Sequence, residues 1–231
     1  GLGDVYKRQA DLAAVPAKVS VTSIVHKQEQ TTLERPAFLS KDGLTAAEMG
    51  TALHAFLEHA DFAALAAGLA GGGDTLAEAI RTERQRQVEA KLTPPEIAGK
   101  LDVSKIRRFV EGEAFVRIRA AKQVLRELDF ITALPAAEVL AAQGTAPADS
   151  AAVAQAKVLV QGIADLVLVF PDHLELLDYK TDRRKSEDDF LTAYRAQLDL
   201  YALAISKRFA PKPVTYKGIY SLELGKLIEV K

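Results

Sequence analysis

The sequence predicts an α/β (α+β) domain, a mixed β-sheet flanked by helices with an N-terminal helical part. Three observations carry this. Residues 158–180 read as a β-hairpin, two Val/Leu/Ile-rich arms divided by Pro171-Asp172. Four capping boxes, Thr45/Glu48, Thr75/Glu78, Thr93/Glu96 and Ser186/Asp189, mark helix starts, three before the hairpin and one after it. Prolines 211 and 213 then bound a further strand. Helices, strand, hairpin, helix and strand in that order fit a sheet with helices packed on it.

The hairpin organises the rest. Pro171 suits the second position of a type I turn, so a four-residue loop from Phe170 to His173 is expected. Val169 then pairs with Leu174, and counting back sets Asp165 opposite Asp178, with Cβ atoms about 4.5–5.5 Å apart. Lys180 projects from the same face as Asp178. Two facing carboxylates repel unless a cation sits between them, and a hard divalent ion such as Mg²⁺ takes oxygen ligands. Ile163, Val167 and Leu176 are expected to flank the carboxylates on one face, unlike a solvated surface.

Along the chain, residues 1–9 match nothing that follows and resemble translated adapter sequence, so they are read as non-native. Residues 10–43 lack long periodicity. Within them Lys18 to Ile24 fits either a short strand or the lead-in to a helix, and Thr31 to Gly43 reads as linker. The first capping box opens a helix with Met49, Leu53, Phe56 and Leu57 as its apolar stripe and Gly50 and His54 on another face. Gly71-Gly72-Gly73 breaks the chain before a helix from Thr75, and Thr93 caps a third with Pro94 at its first position. A helical pattern from Val103 to about Arg126 breaks near Gly112. Leu128 to Val139 reads as a strand, Ala141 to Ala152 as a loop, and 186–208 as a helix. Val214 to Leu222 is a strand, and Gly225 precedes a terminal one.

At 231 residues and 48% hydrophobic content the chain supports one large core. With no Cys, disulfides, thiolate zinc sites and an iron–sulfur cluster are excluded. No apolar run reaches membrane-spanning length and no signal peptide is seen, so a cytoplasmic setting without membrane partners is expected. A net charge of −1 confines any nucleic-acid surface to a local patch. Arg107, Arg108, Arg117, Arg119, Lys122 and Arg126, or the run 183–185, are the candidates. No phosphate-binding Gly-x-x-x-x-Gly-Lys-[Ser/Thr] loop is present, so the chain is no motor by itself.

Gln197 and Tyr201, one turn apart, share a helix face with Tyr194. Together, Gly50-Thr-Ala-Leu-His54, Arg126-Glu127, Gly162-Ile-Ala-Asp165, Asp178-Tyr-Lys-Thr-Asp182 and Gln197-Leu-Asp-Leu-Tyr201 occur in the order of the RecB-like nucleases. The chain thus resembles the PD-(D/E)XK superfamily, and within it the C-terminal nuclease domain of AddA-type helicase–nucleases, over about residues 18–230.

The resemblance implies a restriction-endonuclease-like core over 44–231, with 10–43 as linker from a preceding helicase part. It implies Mg²⁺, with Mn²⁺ as a substitute, on His54, Asp165, Asp178 and the backbone carbonyl of Tyr179, and Glu127 as an outer ligand. Lys180 would orient or deprotonate the attacking water, and Gln197 and Tyr201 would position the strand or the site. The superfamily's Pro before the first Asp is Ala164 here. The implied activity is DNA cleavage in double-strand-break processing and recombinational repair, beside an AddB-type partner. The alternatives are a stand-alone superfamily nuclease with another DNA target and a catalytically silent DNA-binding or subunit-docking module.

Overall fold

A computed structural model describes residues 15–21, 46–146, 153, 155–183 and 186–231. Residues 1–9, most of the stretch read as linker, Thr45, Arg184 and Lys185 lie outside the described residues. The elements are β1 (Lys18–Ser20), α1 (Ala46–His59), α2 (Phe62–Ala70), α3 (Gly73–Glu89), α4 (Pro95–Ala98), α5 (Val103–Glu111), α6 (Glu113–Ala120) and β2 (Gln123–Pro135). They continue with α7 (Ala136–Ala142), β3 (Lys157–Val169), β4 (Leu174–Lys180), α8 (Glu187–Arg208), β5 (Val214–Ser221) and β6 (Lys226–Glu229).

Strand β3 is the hub of a six-stranded mixed sheet. Along one edge β2 runs antiparallel to it from Lys157 to Val169, with one interruption at Asp165. Along the other, β1 pairs parallel at Leu159 to Gln161 and β4 pairs antiparallel at Leu166 to Val169. That edge has no strand beside residues 162–165 among the described residues. β5 joins β4 in parallel and β6 closes the far side antiparallel.

Each face carries its own core. Val160, Leu176, Phe190, Leu198 and Ile219 pack beneath α8 and α7. Leu53, Phe56, Leu65, Ile80, Phe109, Phe115 and the sheet residues Leu166 and Leu177 pack within the helical layer of α1 to α6. A sheet covered on both faces explains why the hairpin arms are apolar almost throughout.

Several boundaries differ from expectation. The strand expected at 128–139 starts earlier, because Gln123 to Leu125 find partners in Val169 to Val167, and it ends at Pro135. Residues 136–142, rich in Ala, turn into a helix after that proline. The first long helix breaks at Ala60, since the Asp61 carboxylate accepts from Ala63 N and Ala64 N, both at 3.0 Å, and caps α2. α3 starts at Gly73 rather than Thr75, whose hydroxyl donates to Gly71 O (3.1 Å). Pro94, not Thr93, takes the cap position of α4, while the Thr93 hydroxyl donates to Gln87 Oε1 (3.0 Å). The break at Gly112, the strand at Val214, the turn at Gly225 and the Ser186/Asp189 box are as expected. Of the two readings at Lys18, the strand is found, so the sheet takes in residues from the stretch read as linker.

Candidate active site

The site forms where β3 and β4 part. The hairpin closes as counted, with Phe170 N donating to His173 O (3.0 Å) and Val169 opposite Leu174. The ladder stops at Leu166–Leu177, one pair short of Asp165 and Asp178. The two aspartates are therefore not a ladder pair. Instead, Asp165 Oδ2 accepts from Tyr179 N (2.7 Å), and Asp178 continues in register with Ile219 of β5.

A second irregularity shapes the same place. β2 and β3 pair at Arg126–Leu166 and Leu128–Ala164, leaving Glu127 and Asp165 facing each other without a ladder pair. Glu127 has φ of 44°, a left-handed conformation that a non-glycine residue adopts at a cost of about 1–3 kcal/mol. The apolar alternation changes phase there. Val158, Val160 and Ala164 face the α8 side, and so do Val167 and Val169 beyond the break, whereas Leu166 and Leu168 face the helical layer. The expected single face of Ile163, Val167 and Leu176 is corrected accordingly: Val167 and Leu176 are buried under α8, while Ile163 is 45% exposed. Strict period-2 counting cannot register such a shift.

α1 brings His54 to this break. Its Nε2 lies 3.0 Å from Asp165 Oδ2 and its Nδ1 3.7 Å from Glu127 Oε1. The ring meets Tyr179 edge-on at 5.7 Å between centroids. The approach requires Gly50, one turn earlier, because a Cβ there would lie 2.3 Å from Thr181 Oγ1. One ligand atom each from His54, Glu127 and Asp165 fall within 4.8 Å of one another. This is a nitrogen and two carboxylate oxygens, a donor set that suits a divalent cation. Glu127, expected as an outer group, is one of the three that gather.

From the other face come Asp178, Lys180 and α8. Lys180 Nζ lies 2.5 Å from Asp178 Oδ2 and 4.7 Å above the Tyr194 ring. Gln197 Nε2 donates to Asp178 Oδ1 (3.4 Å) and to Tyr201 Oη (3.1 Å), and Tyr194 donates to Asp182 (2.9 Å). Gly162 admits Tyr201, since a Cβ would meet its ring at 2.8 Å and Phe130 at 2.9 Å.

The charges are strongly coupled. Burial, then the charge of Asp165, pushes Asp178 up to about 7 despite Lys180. Burial alone would lower Lys180, but Asp178, with Asp165 behind it, raises it and keeps it protonated. For His54, burial also lowers the pKa, and the hydrogen bond and charge of Asp165, followed by Glu127 and Asp178, outweigh it and raise it. Glu127 is raised by burial and by Asp165. Burial raises Tyr179 well above the usual phenol range and Tyr201 to about 12.

The basic residues divide. Arg107 pairs with Glu111 (2.8 Å), and Arg117 pairs with Glu175 (2.9 Å) while lying over Tyr216. Arg126 is half-buried and turned inward onto backbone carbonyls, so it is not a surface contact. Arg119 and Lys122 make no ion pair among the described residues, and Arg108 and Arg183 lie near Glu223, whose carboxyl pKa they help Lys105 to lower, without pairing with it directly. Sequence reasoning assigned no role to Thr181 or Asp182, although both stand in the Asp178–Asp182 motif.

A mixed sheet whose central hairpin splits to hold acidic groups, a lysine two residues after the second aspartate, and a helical histidine define a metal-dependent nuclease. A model of the PD-(D/E)XK nuclease superfamily matches residues 27–227, and the chain belongs to that superfamily. Among curated proteins it is similar to the A subunit of the ATP-dependent helicase/nuclease of Moorella thermoacetica, 36% identical over 219 residues, 88% of this chain and 14% of that one. The protein of the same name from Pelotomaculum thermopropionicum is 34% identical over 230 residues, 91% of this chain and 17% of the relative. That from Heliobacterium modesticaldum is 35% identical over 202 residues, 83% and 13%. The chain thus spans less than a fifth of these relatives and is homologous to their nuclease region. No helix among the described residues is long and apolar enough to cross a membrane.

Proposed function

We propose that this chain is the Mg²⁺-dependent DNA nuclease domain of an AddA-type helicase–nuclease, with Mn²⁺ able to substitute. The carrying observation is that His54, Glu127 and Asp165 present ligand atoms within 4.8 Å of one another beside the Asp178–Lys180 pair. These residues fit a divalent cation, with Asp178 and the Tyr179 carbonyl as further ligands on the neighbouring strand. When bound, the ion would lower the pKa of a coordinated water and balance charge on the phosphate. Lys180, kept protonated by Asp178, hydrogen-bonds and orients the attacking water and offsets negative charge in the transition state. That favours orientation over deprotonation as its role. Gln197 holds Asp178 and Tyr201 in place from α8.

The substrate in this reading is DNA, met by Arg108, Arg119, Lys122 and Arg183, cations without a direct ion pair among the described residues. The wider setting is a cytoplasmic helicase–nuclease with an AddB-type partner, processing double-strand ends for recombinational repair. The preceding helicase part would join the nuclease domain, residues 44–231, through 10–43, while β1 completes its sheet. The test is cleavage of single-stranded DNA by this chain with Mg²⁺ or Mn²⁺, abolished by EDTA. Cleavage that persists under full chelation rules the reading out.

A further inference from the structure

We infer that Arg126 is a positioning residue that ties the helix carrying His54 to the strand carrying Glu127, and so sets the geometry of the metal site. The inference rests on the reading of His54, Glu127 and Asp165 as metal ligands. The end of α1 lacks intrahelical partners for its last carbonyls, as every helix does. Here long side chains supply them. Gln87 Nε2 donates to Phe56 O (3.0 Å), Arg86 Nη2 to His59 O (2.7 Å), and Arg126 Nη1 to both Glu58 O (2.8 Å) and Ala60 O (2.7 Å).

Arg126 differs from the other two in what it connects. Gln87 and Arg86 come from α3, within the same helical layer, whereas Arg126 belongs to β2 and reaches across to that layer. Its guanidinium lies over the Phe62 ring at 3.9 Å, so the cation is held by an aromatic face as well as by two carbonyls. Glu58 is one turn after His54, and Glu127 is the next residue after Arg126. One guanidinium therefore fixes the spacing between two of the three ligands. The third, Asp165, is held opposite Glu127 by the β2–β3 register. Burial lowers the Arg126 pKa, yet its group stays cationic at neutral pH and faces the negative end of the α1 dipole.

Partners that hydrogen-bond a ligand directly are worth about 10–100-fold in metal affinity, and Arg126, which acts through the α1 backbone, should fall at the lower end of that range. The experiment titrates Mn²⁺ calorimetrically into metal-free protein and records each variant's thermal midpoint. Arg126→Gln should bind Mn²⁺ at least about tenfold more weakly while remaining folded. Arg126→Lys, which keeps the charge but loses the planar group that lies over Phe62 and places Nη1 between both carbonyls, should also weaken binding. Ile80→Val trims the same helical core without touching the α1 carbonyls, and should lower the midpoint with Mn²⁺ affinity unchanged. Unchanged affinity in both Arg126 variants, or an equal loss in Ile80→Val, overturns the inference. Asp165→Ala should abolish Mn²⁺ binding; binding that survives it removes the ligand reading itself, and the Arg126 role with it.

Discussion

Gly50 and Thr181 touch at a distance that leaves no room for a side chain: a Cβ on Gly50 would sit 2.3 Å from Thr181 Oγ1. Gly50→Ala therefore forces α1 and the Thr181 side chain apart, and His54 rides on α1. Mn²⁺ affinity and cleavage should both drop by about tenfold or more, as misplaced ligands do. Thr181→Ala in the same chain removes the offending oxygen and should recover part of the loss. A double-mutant cycle in which the two changes simply add would count against this contact.

His54→Ala should weaken Mn²⁺ binding and flatten its dependence on pH. In wild type the raised imidazole must lose its proton to coordinate, so as pH drops affinity starts to fall already above the ordinary histidine value of 6.5. Calorimetry across about pH 6 to 8 reads this, and a variant with wild-type slope would show that His54 is no ligand.

The metal-free protein should behave in the opposite sense. A raised folded pKa means that His54 contributes stability fully below 6.5, lost as pH rises through its folded value. Asp178, moved from 3.8 to about 7, acts with the same sign, its contribution present below 3.8 and lost as pH rises through about 7. Thermal midpoints in EDTA should therefore fall as pH rises from about 4 through about 7, and Mn²⁺ should reverse the trend at the upper end of that range. A midpoint that rises with pH in EDTA contradicts the coupling.

Asp178→Ala and Lys180→Ala should separate. The first removes a carboxylate beside the metal cluster and should lose turnover and metal affinity while retaining DNA. The second should lose turnover with Mn²⁺ affinity kept, since Lys180 contacts Asp178 and no member of the His54–Glu127–Asp165 group. Equal losses of Mn²⁺ affinity in both would defeat the distinction.

Gly162→Ala should destabilise the fold by about 1–3 kcal/mol, the range for an overpacked core. The added methyl meets Tyr201 at 2.8 Å and Phe130 at 2.9 Å, both buried. Urea unfolding measures it, and an unchanged midpoint would mean that the aromatic pair moves aside freely.

By itself the sequence determined the sheet order's main ingredients, because local chemistry specifies them: the Pro171 turn set the Val169–Leu174 register, and Ser186 with Asp189 started α8. Lys180 beside Asp178, and Gln197 one turn from Tyr201, follow from period 2 and period 3.6. His54 and Gly50 were legible as one helix face. What that face would meet was not, since Thr181 lies 131 positions after Gly50. Only the tertiary structure decided that the hairpin ladder stops before Asp165, because β1 and β4 leave the edge of β3 between them bare. The phase change at Glu127 and Asp165 arises between two strands far apart in sequence, so periodicity within either one cannot reveal it. Arg126 shows the same limit: a lone arginine before a strand reads as a surface cation until the helix end that needs its two hydrogen bonds has been folded against it.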